Sequence, residues 1–286
     1  MEGLRRITIM GLGVMGGSMA LGLKRKGFQG EIIGWDRSPK TINQAKTAGA
    51  VDRGYQDPRL ALKDTELVVL ATPVGAYGDI LEKIAPFLSP RMMVTDVGSV
   101  KGYVEKVVKD SLPKNIPFIG GHPMAGSEQS GFSAADAYLY QGATYFLTPG
   151  ARTPAGTLEK IKNFVKALGA EPVVINIKEH DEIVARISHI PQLSAVLLAS
   201  MLQGEEHQRS RSFVGGGFKD STRIASGNPR MWKDIFLLNK EEVLSGIETL
   251  EELLKEFISH LKEGEEEKIL QRLEGAKTLR DEISKG

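Results

Sequence analysis

Histidine is the side chain whose charge changes nearest neutral pH, so a histidine in an unusual local setting is where proton transfer is sought first. His122 is such a residue. It stands in Gly120-Gly121-His122-Pro123-Met124-Ala125-Gly126-Ser127-Glu128, after the short apolar strand-like segment Ile116 to Ile119. The bland alternative is a histidine that structures a loop. Upstream, Asp96-Val97-Gly98-Ser99-Val100-Lys101 puts Ser99 at the junction of a predicted strand and a predicted helix. There the hydroxyl can face a cleft, or cap the helix, which is the commonest job for serine at that position.

A second kind of chemistry is written near the start of the chain. Ile7 to Met10 is a short apolar, partly β-branched run, and Gly11-Leu12-Gly13-Val14-Met15-Gly16 follows at once. In a dinucleotide fingerprint the first glycine makes the tight turn, the second lets the backbone approach the pyrophosphate, and the third lets helix pack on strand. The N–H groups of the helix N-terminus then face the phosphates. Asp36 closes a second predicted strand, Glu31 to Trp35, twenty residues beyond Gly16, where a carboxylate can accept from both ribose hydroxyls. The same carboxylate repels a 2′-phosphate, which favours NAD over NADP, although Arg37 works against that preference. Thr72-Pro73 ends the buried-strand run Glu66 to Ala71 and is placed either beside the cofactor or in a plain loop.

The elements that must hold these residues alternate along the first part of the chain. Helices are expected over Ser18 to Lys26, Pro39 to Ala48, Tyr77 to Ala85, Gly102 to Ser111 and Pro154 to Leu168, with a short helix or turn at Pro58 to Leu62. Strands are expected at Met92 to Asp96, Ile116 to Ile119, Thr144 to Leu147 and Glu171 to Ile177. From Lys178 on, strand signals vanish. Asp181 to Leu202, Ser221 to Ser226, Pro229 to Leu238, Lys240 to Leu261 and Glu265 to Ile283 all read as helices. The fold class is therefore α/β: a Rossmann-like dinucleotide-binding domain over residues 1–177, then an all-helical substrate and dimerisation domain over residues 178–286. Leu250, Leu253, Leu254, Phe257 and Leu261 form an apolar stripe, which is expected to be buried in a homodimer rather than in an intramolecular bundle.

Lys+Arg of 37 against Asp+Glu of 36 leaves a formal charge of +1 in 286 residues, so no global field draws nucleic acid or an anionic membrane. The lack of cysteine excludes disulfides, thiolate metal sites and a cysteine nucleophile. No signal-like leader or membrane-length apolar run is read, and the expectation is a soluble, cytoplasmic protein.

The histidine segment, together with Asp96 to Lys101, resembles the prephenate and arogenate dehydrogenase family of tyrosine biosynthesis. Ile187-Ser188-His189-Ile190-Pro191, Gly217 to Ala225 and Pro229-Arg230-Met231-Trp232 resemble further signatures of that family, in the same order. The resemblance implies NAD-dependent oxidative decarboxylation: hydride leaves the ring carbon bearing the 4-hydroxyl, and the ring carboxylate leaves as CO2. It also implies that His122 accepts the hydroxyl proton and that Ser99 hydrogen-bonds the reacting hydroxyl and aligns imidazole with nicotinamide. Arg223 matches the arginine that binds a substrate carboxylate, a task suited to a planar guanidinium, with a surface ion pair as its alternative. Lys219 supplements that charge or pairs with an acid. Ser127 and Glu128 follow His122 closely enough to line its pocket, and Glu128 gates access, binds an amino group or is a solvated loop acid. His189 is either a ligand contact or a buried hydrogen-bonding histidine. Gln192 departs from the family, in which a histidine commonly stands there, so the choice of substrate between prephenate and arogenate is left open. No segment is read for an attached chorismate mutase or regulatory domain. Two rivals remain: a β-hydroxyacid dehydrogenase, which would rely on a helical-domain lysine, and a non-catalytic NAD-binding protein, which needs the fingerprint but not His122, Ser99 and Arg223.

Overall fold

A computed structural model describes residues 4–151 and 153–284 of the chain. Eight strands form one sheet: β1 (Arg6–Met10), β2 (Glu31–Trp35), β3 (Arg53–Tyr55), β4 (Leu67–Leu70), β5 (Met93–Asp96), β6 (Phe118–Pro123), β7 (Thr144–Pro149) and β8 (Glu171–Val174). Their order is β3-β2-β1-β4-β5-β6-β7-β8, and every pairing is parallel except β6 with β7. The strands that read as continuous apolar runs are buried on both faces. Ile7, Ile9, Leu67 and Val69 enter one apolar layer with Met19, Leu23 and Phe164. Met10, Val68 and Leu70 enter the other, with Tyr77, Leu81, Val104 and Phe118.

The helices are α1 (Val14–Arg25), α2 (Pro39–Thr47), α3 (Pro58–Ala61), α4 (Tyr77–Ile84), α5 (Lys101–Ser111), α6 (Thr157–Ala167), α7 (Ile177–Val184), α8 (Ile190–Ser200), α9 (Gln208–Arg211), α10 (Gly216–Thr222), α11 (Pro229–Leu238), α12 (Lys240–Glu263) and α13 (Glu266–Ile283). Among the described residues no strand follows β8. The chain leaves β1 for β2 on one side and later returns through β4 on the other, so the strand order reverses between β1 and β4. The carboxyl ends of strands at such a reversal are where open α/β sheets bind ligands.

Several local expectations change. The first helix begins at Val14, inside the glycine fingerprint, so Val14, Met15 and Gly16 already belong to α1. Arg53 to Tyr55, read as loop, is a three-residue edge strand. His122 is on β6 and not in a loop after it, opposite Phe146 of β7. The last strand stops at Val174, three residues short of Ile177. The helix expected over Ser221 to Ser226 is the end of α10 and a following 3-10 turn, Arg223–Ser226.

α7 runs into α8 through a π-helical turn, Ala185–His189. By length and average composition the stretch Ile177–Ser200 could cross a membrane. Its buried side chains, however, include His180, Asp181, His189 and Gln192, and they face protein. The described residues divide into two compact units between Lys240 and Glu241. In the second, Gly264 takes a left-handed conformation between α12 and α13, and Arg272 of α13 pairs with Glu256 of α12.

Candidate functional site

The turn after β1 is built as its sequence requires. Gly11 has φ +103°, a conformation that L side chains rarely adopt, and its N–H donates to the Trp35 carbonyl at 2.7 Å. A Cβ on Gly16 would stand 1.9 Å from the Gly11 carbonyl oxygen, so the helix can approach the strand only with glycine there. At Gly13 a Cβ would meet nothing within 4 Å, so the backbone there faces open space. Leu12 is fully buried in the core. The Asp36 carboxylate accepts from the Leu12 N–H at 3.0 Å and the Ser38 N–H at 2.8 Å, which fixes its direction at the end of β2. Thr72 and Pro73 follow β4, and the Thr72 methyl lies against Gly11. The Thr72 hydroxyl is buried with no hydrogen-bond partner among the described residues.

Three strands along, a buried ion pair supports the next two candidates. Lys101 Nζ donates to Asp96 Oδ2 and to the Gly121 carbonyl, both at 2.6 Å. Asp96 also accepts from the Gly98 N–H at 2.8 Å and the Gly121 N–H at 2.9 Å. The pair thereby ties the Gly98-Ser99 junction after β5 to the residue just before His122. Ser99 is partly exposed and is not the helix cap: the N-cap of α5 is Val100, with no side-chain cap bond.

His122 is partly open to solvent, and its Nδ1 lies 2.8 Å from Nε2 of His180. His180 Nδ1 in turn lies 2.7 Å from Asp181 Oδ1. Asp181 accepts from the first backbone N–H groups of α5: Lys101 N at 2.8 Å on Oδ1 and Gly102 N at 2.7 Å on Oδ2. Phe146, the cross-strand partner of His122, meets the His180 ring edge to face at 5.5 Å. Burial, and then the neighbouring His180, Lys101 and His189, hold His122 well below the usual imidazole range. Burial also lowers His180, with Asp181 opposing it. The ring of His122 is therefore neutral at physiological pH and able to accept a proton.

His189, at the end of the π-turn, is buried, and burial brings it down to about 4 against the pull of Asp181. Asn239 Nδ2 lies 3.2 Å from its Nδ1 and also donates to the Asp181 carbonyl at 3.1 Å. Trp232 packs edge-on to the ring. The Nε2 of His189 is buried with no partner among the described residues. Gln192, one turn further on α8, is also buried.

Glu128, six residues beyond His122, forms an ion pair with Arg223. Arg223 opens the 3-10 turn that packs on α8, the helix of Gln192. Ser127 is exposed and its Oγ accepts from the Gln129 N–H at 3.1 Å, a local turn bond. Lys219 sits apart from that ion pair: it lines an open hollow of about 540 Å³ with Arg211, Phe218 and Gln203. Sequence reasoning missed His180, Asp181 and Asn239. The adjacent His180-Asp181 pair is the only local signal, and nothing in the sequence says that it faces β6.

Residues 19–174 match the family described as prephenate dehydrogenase, nucleotide-binding domain, and residues 176–275 match prephenate dehydrogenase, dimerization domain. The glycine fingerprint lies just ahead of the first match. The prephenate dehydrogenase of Bacillus subtilis (strain 168) is 35% identical over 281 residues, covering 96% of this chain and 75% of that protein. Among solved structures, prephenate dehydrogenase from A. aeolicus in complex with hydroxyphenyl propionate and NAD+ matches with a TM-score of 0.92 at 36% identity, covering 98% of each chain. Synechocystis arogenate dehydrogenase matches with a TM-score of 0.82 at 29% identity, covering 97% of this chain and 99% of that one.

Proposed function

Because this chain belongs to the prephenate dehydrogenase family, we propose that it oxidatively decarboxylates prephenate to 4-hydroxyphenylpyruvate with NAD, a step in tyrosine biosynthesis. The observation that carries this reading is His122 on the sheet strand β6, partly open to solvent and with its Nδ1 2.8 Å from His180 Nε2.

The turn after β1 fits a dinucleotide. Open space at Gly13 leaves room for a pyrophosphate, the oriented Asp36 carboxylate suits ribose hydroxyls, and Thr72, whose methyl packs on Gly11, has an unpaired hydroxyl. Gly11, Leu12, Gly13, Val14, Met15, Gly16, Asp36, Thr72 and Pro73 would hold it, and the nicotinamide supplies a hydride acceptor when bound. His122 takes the 4-hydroxyl proton as the ring carbon loses its hydride, which leaves a carbonyl at that carbon. The ring carboxylate then leaves as CO2, and its bonding pair enters the ring to give a phenolate. That oxygen takes its proton back from His122, so the base ends as it began. Ser99 donates to the reacting oxygen, and its contribution is alignment.

Arg223 binds a substrate carboxylate. An exposed ion pair such as that with Glu128 is worth only about 0–1 kcal/mol, so exchanging one carboxylate for another there costs little. His189 offers its unpaired Nε2 to a substrate acceptor, and Gln192 offers both a donor and an acceptor. Arogenate is the second reading, favoured by the buried Gln192, whose amide oxygen can accept from an amino group. Ser127 belongs to the outer part of the same site, whereas Lys219 faces the separate hollow beside Arg211 and is left out of substrate binding.

We assign residues 1–177 to cofactor binding and residues 178–286 to substrate binding and dimerisation. A homodimer is supported by the large apolar side chains exposed in each compact unit, among them Ile187, Leu197, Met201 and Phe213 in the first and Leu250, Leu253, Leu254 and Leu261 in the second. A soluble, cytoplasmic setting goes with this reading. Incubation with prephenate or arogenate and NAD or NADP in turn, followed by product analysis, tests it. Prephenate with NAD is expected to give 4-hydroxyphenylpyruvate, CO2 and NADH. The absence of an aromatic product from either substrate would refute it.

A further inference from the structure

We infer that His180 and Asp181 are positioning residues that hold His122 as its Nδ1–H tautomer and leave the Nε2 lone pair to act as the base. The inference rests on the proposed role of His122 and adds two residues that the family resemblance does not assign.

With Asp181 a carboxylate and His180 a neutral imidazole, the chain of donors and acceptors has one consistent arrangement. Asp181 accepts from Lys101 N–H and Gly102 N–H, groups that can only donate, so its oxygens point acceptor lone pairs at α5 and at His180. His180 Nδ1, 2.7 Å from Oδ1, must then carry the hydrogen. A neutral imidazole with its hydrogen on Nδ1 has a bare Nε2, and that atom lies 2.8 Å from His122 Nδ1. His122 Nδ1 therefore carries the donor hydrogen, and its own Nε2 is bare.

The anchor at the far end is rigid. The carboxylate sits at the N-terminus of α5, where partial positive charge favours it, and the Lys101 side chain on the same helix runs to Asp96 and Gly121. Phe146 fixes the His180 ring from the neighbouring strand. When the substrate O–H bond breaks and the His122 Nε2–H bond forms, the new imidazolium donates through Nδ1 to His180, whose Nδ1–H faces a carboxylate. The charge is met without any group having to reorient. The reverse transfer to the phenolate oxygen restores the starting tautomers.

Long-range proton–nitrogen NMR of the full chain labelled with 15N-histidine, recorded at neutral pH, reads the tautomers directly. His122 is assigned by the signal lost in His122→Asn. The expected spectrum has a protonated Nδ1 and a bare Nε2 for His122; a protonated Nε2 would overturn the inference, and this part needs no functional variant. Asp181→Leu supplies the second arm, because a side chain with no acceptor leaves His180 free to carry its hydrogen on Nε2 and so releases both tautomers. Its kcat is expected to fall by about 10²-fold or more, with KM and NAD affinity unchanged. A folded Asp181→Leu with kcat within about threefold of the parent would also overturn it. If the parent shows the expected tautomer yet turns over neither prephenate nor arogenate, the functional reading fails and the tautomer lock stands.

Discussion

Lys101→Met removes a cation that is almost fully buried and satisfied by two bonds of 2.6 Å, to Asp96 Oδ2 and the Gly121 carbonyl. What remains is a fully buried Asp96 whose charge is met by the N–H groups of Gly98 and Gly121 and by the neighbouring Tyr77 hydroxyl. Breaking a buried pair from one side typically costs about 3–5 kcal/mol, because the surviving charge keeps its desolvation penalty and loses its partner. At roughly 2–4 °C per kcal/mol for domains of this size, the midpoint should fall by roughly 6–20 °C. Burial lowers Lys101 against the pull of Asp96, yet the short bond between them argues for a charged ammonium. The assay is thermal unfolding of Lys101→Met, Asp96→Asn and the double variant. The double variant, which buries no unpaired charge, should be less destabilised than Lys101→Met alone. The same cation disfavours protonated His122, so the acid limb of kcat/KM in Lys101→Met should move to higher pH. A Lys101→Met protein within about 1 kcal/mol of the parent, or a double variant less stable than the single, would show that Lys101 is not the partner on which buried Asp96 depends.

Three further outcomes follow from named contacts. Gly13→Ala should keep the parent's thermal midpoint while losing NAD affinity in a fluorescence titration, because its Cβ enters open space in the turn; Gly16→Ala should lower the midpoint as well, since its Cβ would stand 1.9 Å from the Gly11 carbonyl oxygen. His189 falls from 6.5 to about 4 on folding, so the unfolded chain takes up a proton that the folded one refuses. Its contribution is complete above about pH 6.5 and lost as pH drops toward about 4, to a limit of about 3 kcal/mol. Denaturant titrations of the parent and His189→Asn should therefore show the parent's advantage shrinking over that range, and a constant gap would contradict the assignment. Arg223→Ala should raise KM for prephenate by at least about tenfold, more than it lowers kcat, because a substrate carboxylate loses its guanidinium. An unaltered KM would remove Arg223 from the binding site.

Much of the fold was legible because its buried strands are written as apolar runs. Glu66 to Ala71 and Met92 to Asp96 leave little choice of assignment, and the glycine fingerprint and Asp36 mark the carboxyl ends of β1 and β2. The parts that were not legible depend on neighbours far away in sequence. Arg53 to Tyr55 has no apolar run, since an edge strand of three residues owes its state to backbone bonds with β2. The Gly120-Gly121 pair reads as a loop, whereas the glycines serve close approach within a strand: a Cβ on Gly121 would stand 2.5 Å from the Asp96 carbonyl oxygen. His122 could be picked out by its setting, but its environment could not. His180 and Asp181 come from the helix after β8, 58 residues beyond His122 in the first case, and reach it only because β6 and β7 pair antiparallel and α7 packs against α5. The π-turn that ends on His189 carries no sequence mark that helical periodicity can detect.

If His122 is the base that makes hydride loss possible on this scaffold, removing it spares cofactor binding and stops turnover. The most direct measurement compares the parent with His122→Asn in two assays on the same preparations: NAD affinity by fluorescence quenching, and the rate of NADH formation from prephenate. The expected outcome is unchanged NAD affinity and a loss of turnover of at least about 10²-fold, the usual scale for removing a general base. Turnover equal to that of the parent would contradict it.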